Sequence, residues 1–239
     1  RALGKLKASE AVPDLLKSLR EDKDGRVRDD AAIALGQLKA SEAVPDLLKT
    51  LQEDKDGQVR GNAARALGEL KVSEAVPDLL KSLREDKDGM VRGNAARALG
   101  ELKVSEAVPD LLKSLREDKD GQARGSAAWA LGELKVSEAV PDLLKSLRED
   151  KDGWVRGSAA CALGELKASE AVPDLLKTLR QDEDGWARGN AAWALGELKA
   201  SETVPDLLKT LQEDKDTSVR NKAAESAWLL LRRTQHISR

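Results

Sequence analysis

Several residue patterns in this chain could do chemistry. An arginine recurs at Arg28, Arg60, Arg92, Arg124, Arg156, Arg188 and Arg220. A row of guanidinium forks could hold phosphates. Each can equally pair with an Asp at the start of its repeat or in a neighbouring one, and that structural pairing is the stronger reading. The run Asp54-Lys55-Asp56-Gly57 resembles part of a calcium loop, but Gln52 falls where the first ligand belongs and Ala63 where the twelfth-position Glu belongs, so the ligand set fails. The one histidine, His236, lies in a polar tail, and the one cysteine, Cys161, has no histidine to activate it. Carboxylates are plentiful but solvated, with no sign of a buried acid–base pair, and no Gly-rich phosphate loop of the G-x-x-x-x-G-K-[ST] type is present. The expectation is a chain without catalytic, metal or cofactor sites. What remains are tryptophans, among them Trp129, Trp154, Trp186 and Trp193, whose chemistry is that of contact surfaces.

Composition narrows the setting. The 239 residues include no Phe and no Tyr; 40% are hydrophobic and 35% charged. The apolar set is almost entirely Ala, Leu and Val, a helical composition. Lys and Arg total 41 against 43 Asp and Glu, so no overall basic footprint for nucleic acid or anionic lipid exists. No apolar run reaches the roughly 18 residues of a membrane span. A single cysteine fits a reducing, cytoplasmic compartment.

The elements that must position these residues follow from a repeat. Pro13, Pro45, Pro77, Pro109, Pro141, Pro173 and Pro205 stand 32 residues apart, which is the signature of a solenoid. A partial repeat (1–23) precedes full repeats at 24–55, 56–87, 88–119, 120–151, 152–183 and 184–215, and an altered repeat (216–239) closes the array. In the repeat 56–87, Asp56 is an N-cap before helix A, whose buried stripe is Val59, Ala63, Ala66, Leu67 and Leu70. Ser73 is a second cap candidate, Pro77 sits in the first turn of helix B, and Val76, Leu79, Leu80 and Leu83 form its stripe. Two such helices cannot bury themselves alone, so neighbours must stack. The predicted fold is all-α: an α-solenoid of two-helix repeats forming a single array over 1–239.

The pattern D-G-x-V-R-x-x-A-A-x-A-L-G-x-L followed by S-E-A-V-P-D-L-L-K-x-L resembles the short HEAT-like repeat first described in phycobilisome lyases, and the artificial alphaRep scaffolds built on that repeat. The resemblance covers essentially the whole chain. It implies a binding scaffold whose helix A surface carries the partner contacts.

At the ends the pattern changes. Thr217, Asn221, Lys222, Glu225, Ser226 and Trp228 replace the usual residues of the last helix A, which reads as a solubilising cap. The chain begins inside a helix A, so Leu3 and Leu6 would lie on an open edge. Earlier repeats or another domain are expected before it, and end-to-end self-association in isolation.

Helix B shows only Ser/Thr and Arg/Gln exchanges on its exposed side, and the larger variation lies on helix A. Its third position reads Arg26, Gln58, Met90, Gln122, Trp154, Trp186, Ser218; its seventh Asp30, Asn62, Asn94, Ser126, Ser158, Asn190, Lys222; its tenth Ile33, Arg65, Arg97, Trp129, Cys161, Trp193, Glu225. These spacings place all three on one side, away from the buried stripe. Small residues along helix A should draw that layer together and make its face concave. The glycines at position six (Gly61, Gly93, Gly125, Gly157, Gly189) are expected to serve that close packing. Ala123 and Ala187 replace valine in the repeats carrying Trp129 and Trp193, which suggests partial burial of those two indoles.

The expected partner-binding set is therefore Trp129, Trp154, Trp186 and Trp193 as anchors, with Met90, Cys161, Asn190, Arg65 and Arg97. Arg65 and Arg97 can pair with Glu69 and Glu101; where Trp replaces them, Glu133 and Glu197 lose that partner. Residues 120–215 hold 18 acidic and 13 basic side chains. Indoles beside unpaired carboxylates suit a partner of apolar and basic character. The leading reading is a non-enzymatic module binding a protein or peptide, with no nucleic-acid or membrane role. Alternatives are the regulatory region of a larger signalling protein such as an NTPase, or a bilin-handling subunit.

Overall fold

In the computed structural model the described residues are 10–237, with side chains described to 232. Leu3, Leu6 and the side chain of His236, with the expectations placed on them, lie outside that range. Among the described residues there are fourteen α-helices and no strand. The B helices are α1 (Val12–Glu21), α3 (Val44–Glu53), α5 (Val76–Glu85), α7 (Val108–Glu117), α9 (Val140–Glu149), α11 (Val172–Gln181) and α13 (Val204–Glu213). The A helices alternate with them: α2 (Gly25–Gln37), α4 (Gly57–Glu69), α6 (Gly89–Glu101), α8 (Gly121–Glu133), α10 (Gly153–Glu165), α12 (Gly185–Glu197) and α14 (Thr217–Ile237). The residues group into two compact units, one ending at Ser114 and including Asp118–Ala123, the other made of Leu115–Glu117 and the residues from Arg124 onward.

Each helix A begins on its cap: the Asp56 carboxylate accepts the Gln58 amide at 2.9 Å, satisfying a donor the first turn leaves open. Its end follows a rule the sequence hid. Lys71 takes a left-handed φ of 55°, its amide donating to the Gly68 carbonyl at 2.9 Å, and the same conformation recurs at Lys39, Lys103, Lys135, Lys167 and Lys199. Glycine usually fills this place. In two repeats the lysine ammonium reaches on to the C-terminal end of the next helix A: Lys167 donates to the Glu197 carbonyl at 3.2 Å and also to its carboxylate, and Lys135 does the same at Glu165. Ser73 does not cap helix B; it opens a short 3-10 turn (Ser73–Ala75), and α5 begins at Val76 with Pro77 in its first turn.

The core is Val59, Ala63, Ala64, Ala66 and Leu67 of α4 with Leu79 and Leu83 of α5, and the equivalents in other repeats. Leu70, Val76 and Leu80 are half-buried. Ala64 joins the core because helix A is covered on both flanks: α2 packs on α4 and α4 on α6, while successive B helices meet at few points. The backbones approach closest at the glycine near each helix A C-terminus. A Cβ on Gly68 would lie 2.9 Å from Ala98 Cα, and one on Gly164 would lie 2.9 Å from Ala194 Cα. That seam is the close A-to-A packing the sequence assigned to position six. Position six does something else, described below.

Two ladders of ion pairs tie the repeats together. Arg60 donates both Nε and Nη2 to Asp86 at 2.8 Å and Nη1 to the Asp54 carbonyl at 2.9 Å. It thus clamps the loop before its own helix to the loop after helix B. The partner is not the Asp that starts a repeat, which is occupied as a cap, but the Asp two residues before it. The same bidentate pair recurs at Arg28–Asp54, Arg92–Asp118, Arg124–Asp150, Arg156–Asp182 and Arg188–Asp214. A second, exposed ladder runs along the B helices, as in Arg84–Asp110 at 2.8 Å. It explains the Arg/Gln exchanges there, since Gln52 reaches Asp78 in the same way at 2.7 Å.

In the last helix A, Thr217, Asn221 and Trp228 stand at the places that Gly57, Gly61 and Gly68 hold in α4. The end of this last helix exposes Trp228, Leu229 and Leu231, with Arg232 held 4.8 Å from the Trp228 ring centre.

Burial pushes the Asp54, Asp86, Asp150 and Asp182 carboxyls up, but arginine hydrogen bonds, the following Asp amide and arginine charge outweigh it and hold each below the usual value. At Asp214 the Arg188 hydrogen bond leads, against burial. A depressed folded value stabilises above the ordinary carboxylate range and is lost as pH falls below about 4. Acid unfolding should therefore be steep below about pH 4, and Arg60→Ala, which strands the Asp86 carboxylate, should cost about 3 kcal/mol at pH 7 with a shallower acid dependence, read by thermal melts across pH. The glycines separate in the same assay. Gly68→Ala meets backbone and should destabilise by about 2 kcal/mol. Gly61→Ala meets only the flexible ends of Met90 and Asn94 and should be neutral or stabilising by up to about 1 kcal/mol.

Candidate functional site

Helix A positions three, seven and ten meet the neighbouring repeat in different ways. Trp154 and Trp186, each in the first turn of its helix, are 37% and 47% exposed. Their rings stack with centroids 5.2 Å apart and planes 23° from parallel. What lets them lie there is the position-six glycine of the preceding helix. A Cβ on Gly125 would sit 2.3 Å from Trp154 Nε1, and one on Gly157 would sit 2.3 Å from Trp186 Cδ1. Met90 uses the same seat in the first unit, its Cε 3.2 Å from the place of a Gly61 Cβ. Position six is thus a socket for the next repeat's variable side chain.

The row continues into the last helix. Lys222 of α14 lays its Cδ 3.3 Å from the place of a Gly189 Cβ, and its Nζ lies 4.9 Å from the Trp186 ring centre. Its Nζ also donates to Asn190 Oδ1 at 2.7 Å. Burial lowers the Lys222 pKa, opposed by Cys161 and Glu225. Burial, then the charge of Glu165, pushes the Cys161 thiol up to about 11; a thiol that stays protonated at neutral pH is a poor nucleophile.

Trp129 and Trp193 are half-buried, and Trp193 Cζ3 lies 2.9 Å from the place of a Gly164 Cβ. Trp129, Trp154, Cys161, Trp186, Asn190 and Trp193 all belong to the second compact unit; Arg65, Met90 and Arg97 belong to the first. There Arg65 and Arg97 approach Glu69 and Glu101 at 3.6 and 3.3 Å, weak surface pairs.

Two expectations need correction. Position seven does not face outward: Asn62, Ser126, Ser158 and Asn190 are buried. Its side chains point into the seam with the preceding helix A, where Asn62 Nδ2 donates to Asp29 Oδ1. Asn190 is therefore part of the seam. Nor are the carboxylates beside the half-buried indoles unpaired. Glu197 takes the Lys167 ammonium, and Glu133 has an interaction of its own. The case for a basic partner loses its premise. Lys222, which joins this cluster, was not among the expected partner-binding residues because it sits in the atypical last repeat; the coincidence of a bulky third position with glycine in the preceding repeat is the signal that could have found the socket.

Among the described residues no group of three or more His, Cys, Asp or Glu could hold a metal ion. None of their helices is long and apolar enough to cross a membrane.

The family described as HEAT repeats matches residues 1–61, 44–132, 108–185 and 140–228. No curated protein matches the sequence. Among solved structures, the complex of CpcE and CpcF of phycocyanin lyase from Nostoc sp. PCC7120 is similar at 27% identity and a TM-score of 0.64, over 89% of this chain and 85% of that one. YibA of E. coli is similar in fold at 23% identity and a TM-score of 0.60, over 93% and 83%. Kap121p bound to Nup53p shares the fold at 14% identity and a TM-score of 0.66, over 95% of this chain but 30% of Kap121p.

Gly157→Ala places a methyl group where the Trp186 indole lies. It should abolish the coupled-indole circular dichroism signal of the Trp154–Trp186 stack, as Trp154→Ala should, without loss of helix content. An unchanged signal in both variants would show that the rings do not stack.

Proposed function

We propose that this chain, which belongs to the HEAT repeat family, is a non-catalytic scaffold that binds a protein or peptide segment on the A-helix face of its second compact unit. The observation that carries this reading is the Trp154–Trp186 stack, two large aromatic side chains left substantially exposed. Exposed, pre-packed indoles are the residue type that most often anchors a partner. Trp193 and Trp129 flank the pair as half-buried support.

Relatives of the same fold are compatible with this role: Kap121p has been solved bound to Nup53p and to Pho4p, and CpcE with CpcF. The likeness to the phycocyanin lyase complex favours one alternative, a subunit that handles a bilin. Mixing the chain with free bilin and finding a visible-absorption shift would establish that alternative; no shift is expected.

The decisive experiment is a pull-down with wild type beside the double variant Trp154→Ala/Trp186→Ala. Loss of two anchors at about 2 kcal/mol each should reduce partner affinity by roughly three orders of magnitude, with melting and helix content close to wild type. Undiminished capture by the double variant would refute the reading.

A further inference from the structure

We infer that this face selects a peptide segment carrying a carboxylate next to an apolar side chain, the carboxylate seating on Asn190 Nδ2 and Lys222 Nζ beside Trp186. The inference rests on the docking role proposed above and names the chemistry of what docks.

The array contains its own model of the occupied seat. In the first full repeat position six is Asp29 rather than glycine, and its carboxylate is buried at 7% exposure. One oxygen accepts Gln58 Nε2 at 2.9 Å and the other accepts Asn62 Nδ2. Those donors come from positions three and seven of the next helix A. In the second unit the same two positions hold Trp186 and Asn190, and both turn an N–H-bearing group toward position six. A Cβ on Gly157 would lie 2.8 Å from Trp186 Nε1 and 3.2 Å from Asn190 Nδ2. Here position six carries no side chain to accept from them.

Asn190 shows the consequence. The residue is 5% exposed, and its Nδ2 has no hydrogen-bond partner. The amide cannot relieve this by turning over, because Lys222 donates to Oδ1 at 2.7 Å and so fixes which end faces Gly157. A buried donor left unmade is costly and gains when an acceptor arrives. The Lys222 ammonium beside it makes an anionic acceptor preferable to a neutral one. The thiol of Cys161, protonated at neutral pH, adds no repelling charge, whereas Glu225, the other group whose charge bears on Lys222, does. Trp186 covers Gly157, so admitting the acid requires its indole to leave the stack on Trp154; both indole faces then take the neighbouring apolar side chain.

The probe is a random twelve-residue peptide-display library panned on the full chain. Recovered peptides are then titrated by tryptophan fluorescence against wild type, Trp154→Ala/Trp186→Ala, Lys222→Met and Gly157→Asp. Lys222→Met keeps the methylene packing over Gly189 and removes the charge; Gly157→Asp supplies an internal carboxylate, as Asp29 does, and is read against Gly157→Ala, which displaces Trp186 without supplying an acid. Melting curves for each variant show whether it folds. The expected peptides carry Asp or Glu beside an aromatic or aliphatic residue. Replacing that acid by its amide, or using Lys222→Met or Gly157→Asp, should weaken binding at least tenfold. Peptides that need the tryptophans but are enriched in Lys or Arg, or bind Lys222→Met as tightly as wild type, overturn this inference and leave the docking role standing. Peptides indifferent to the tryptophans, or no recovered peptide at all, overturn both.

Discussion

The backbones of successive A helices come close enough that the residue between them can have no side chain. A methyl on Gly68 would meet Ala98 at its Cα, and the same seam recurs at Gly132 with Ala162 and at Gly164 with Ala194. Each glycine costs up to about 1 kcal/mol of helix propensity. The repeat keeps it because a closer seam buries Ala63, Ala66 and Leu67 more completely than a looser one could. The 32-residue period, the covered flanks of helix A and the placement of every variable side chain follow from that spacing.

Upon this seam the arginine ladder acts as a clasp. Arg60 and Asp86 retain 7% and 12% side-chain exposure, so the pair is largely dry, and a dry pair is only a modest contributor until one partner is removed. Its second role is geometric. By gripping the Asp54 carbonyl as well as the Asp86 carboxylate, Arg60 sets how the loop before one helix A lies against the loop before the next. Clasp and seam lie near opposite ends of each helix A, so together they fix its tilt as well as its distance from its neighbour.

The variable surface is built from the slack the seam leaves. At position six of four repeats the glycine accepts a side chain from the next repeat: Met90 over Gly61, Trp154 over Gly125, Trp186 over Gly157, Lys222 over Gly189. A uniform scaffold can therefore change its surface by exchanging one residue per repeat. Asp29 shows the same socket filled from the other side. The variable positions are not independent surface points but pairs shared between neighbouring helices.

The sequence by itself determined the all-α repeat, its period, the caps at Asp56 and its equivalents, and most of the buried stripe, because prolines, caps and helical periodicity are local signals. It also singled out the four tryptophans of the A helices, since a bulky aromatic among Gln, Asn and Ser breaks an otherwise copied pattern. Only the tertiary structure decided which glycine makes the seam and which makes the socket, that Asn190 is buried, that Glu197 is already paired, and that Lys222 lies against Trp186 and Asn190. Each of those is a relation between residues about 30 positions apart in sequence, and a helical wheel shows which way a side chain points without showing what the neighbouring helix places opposite it.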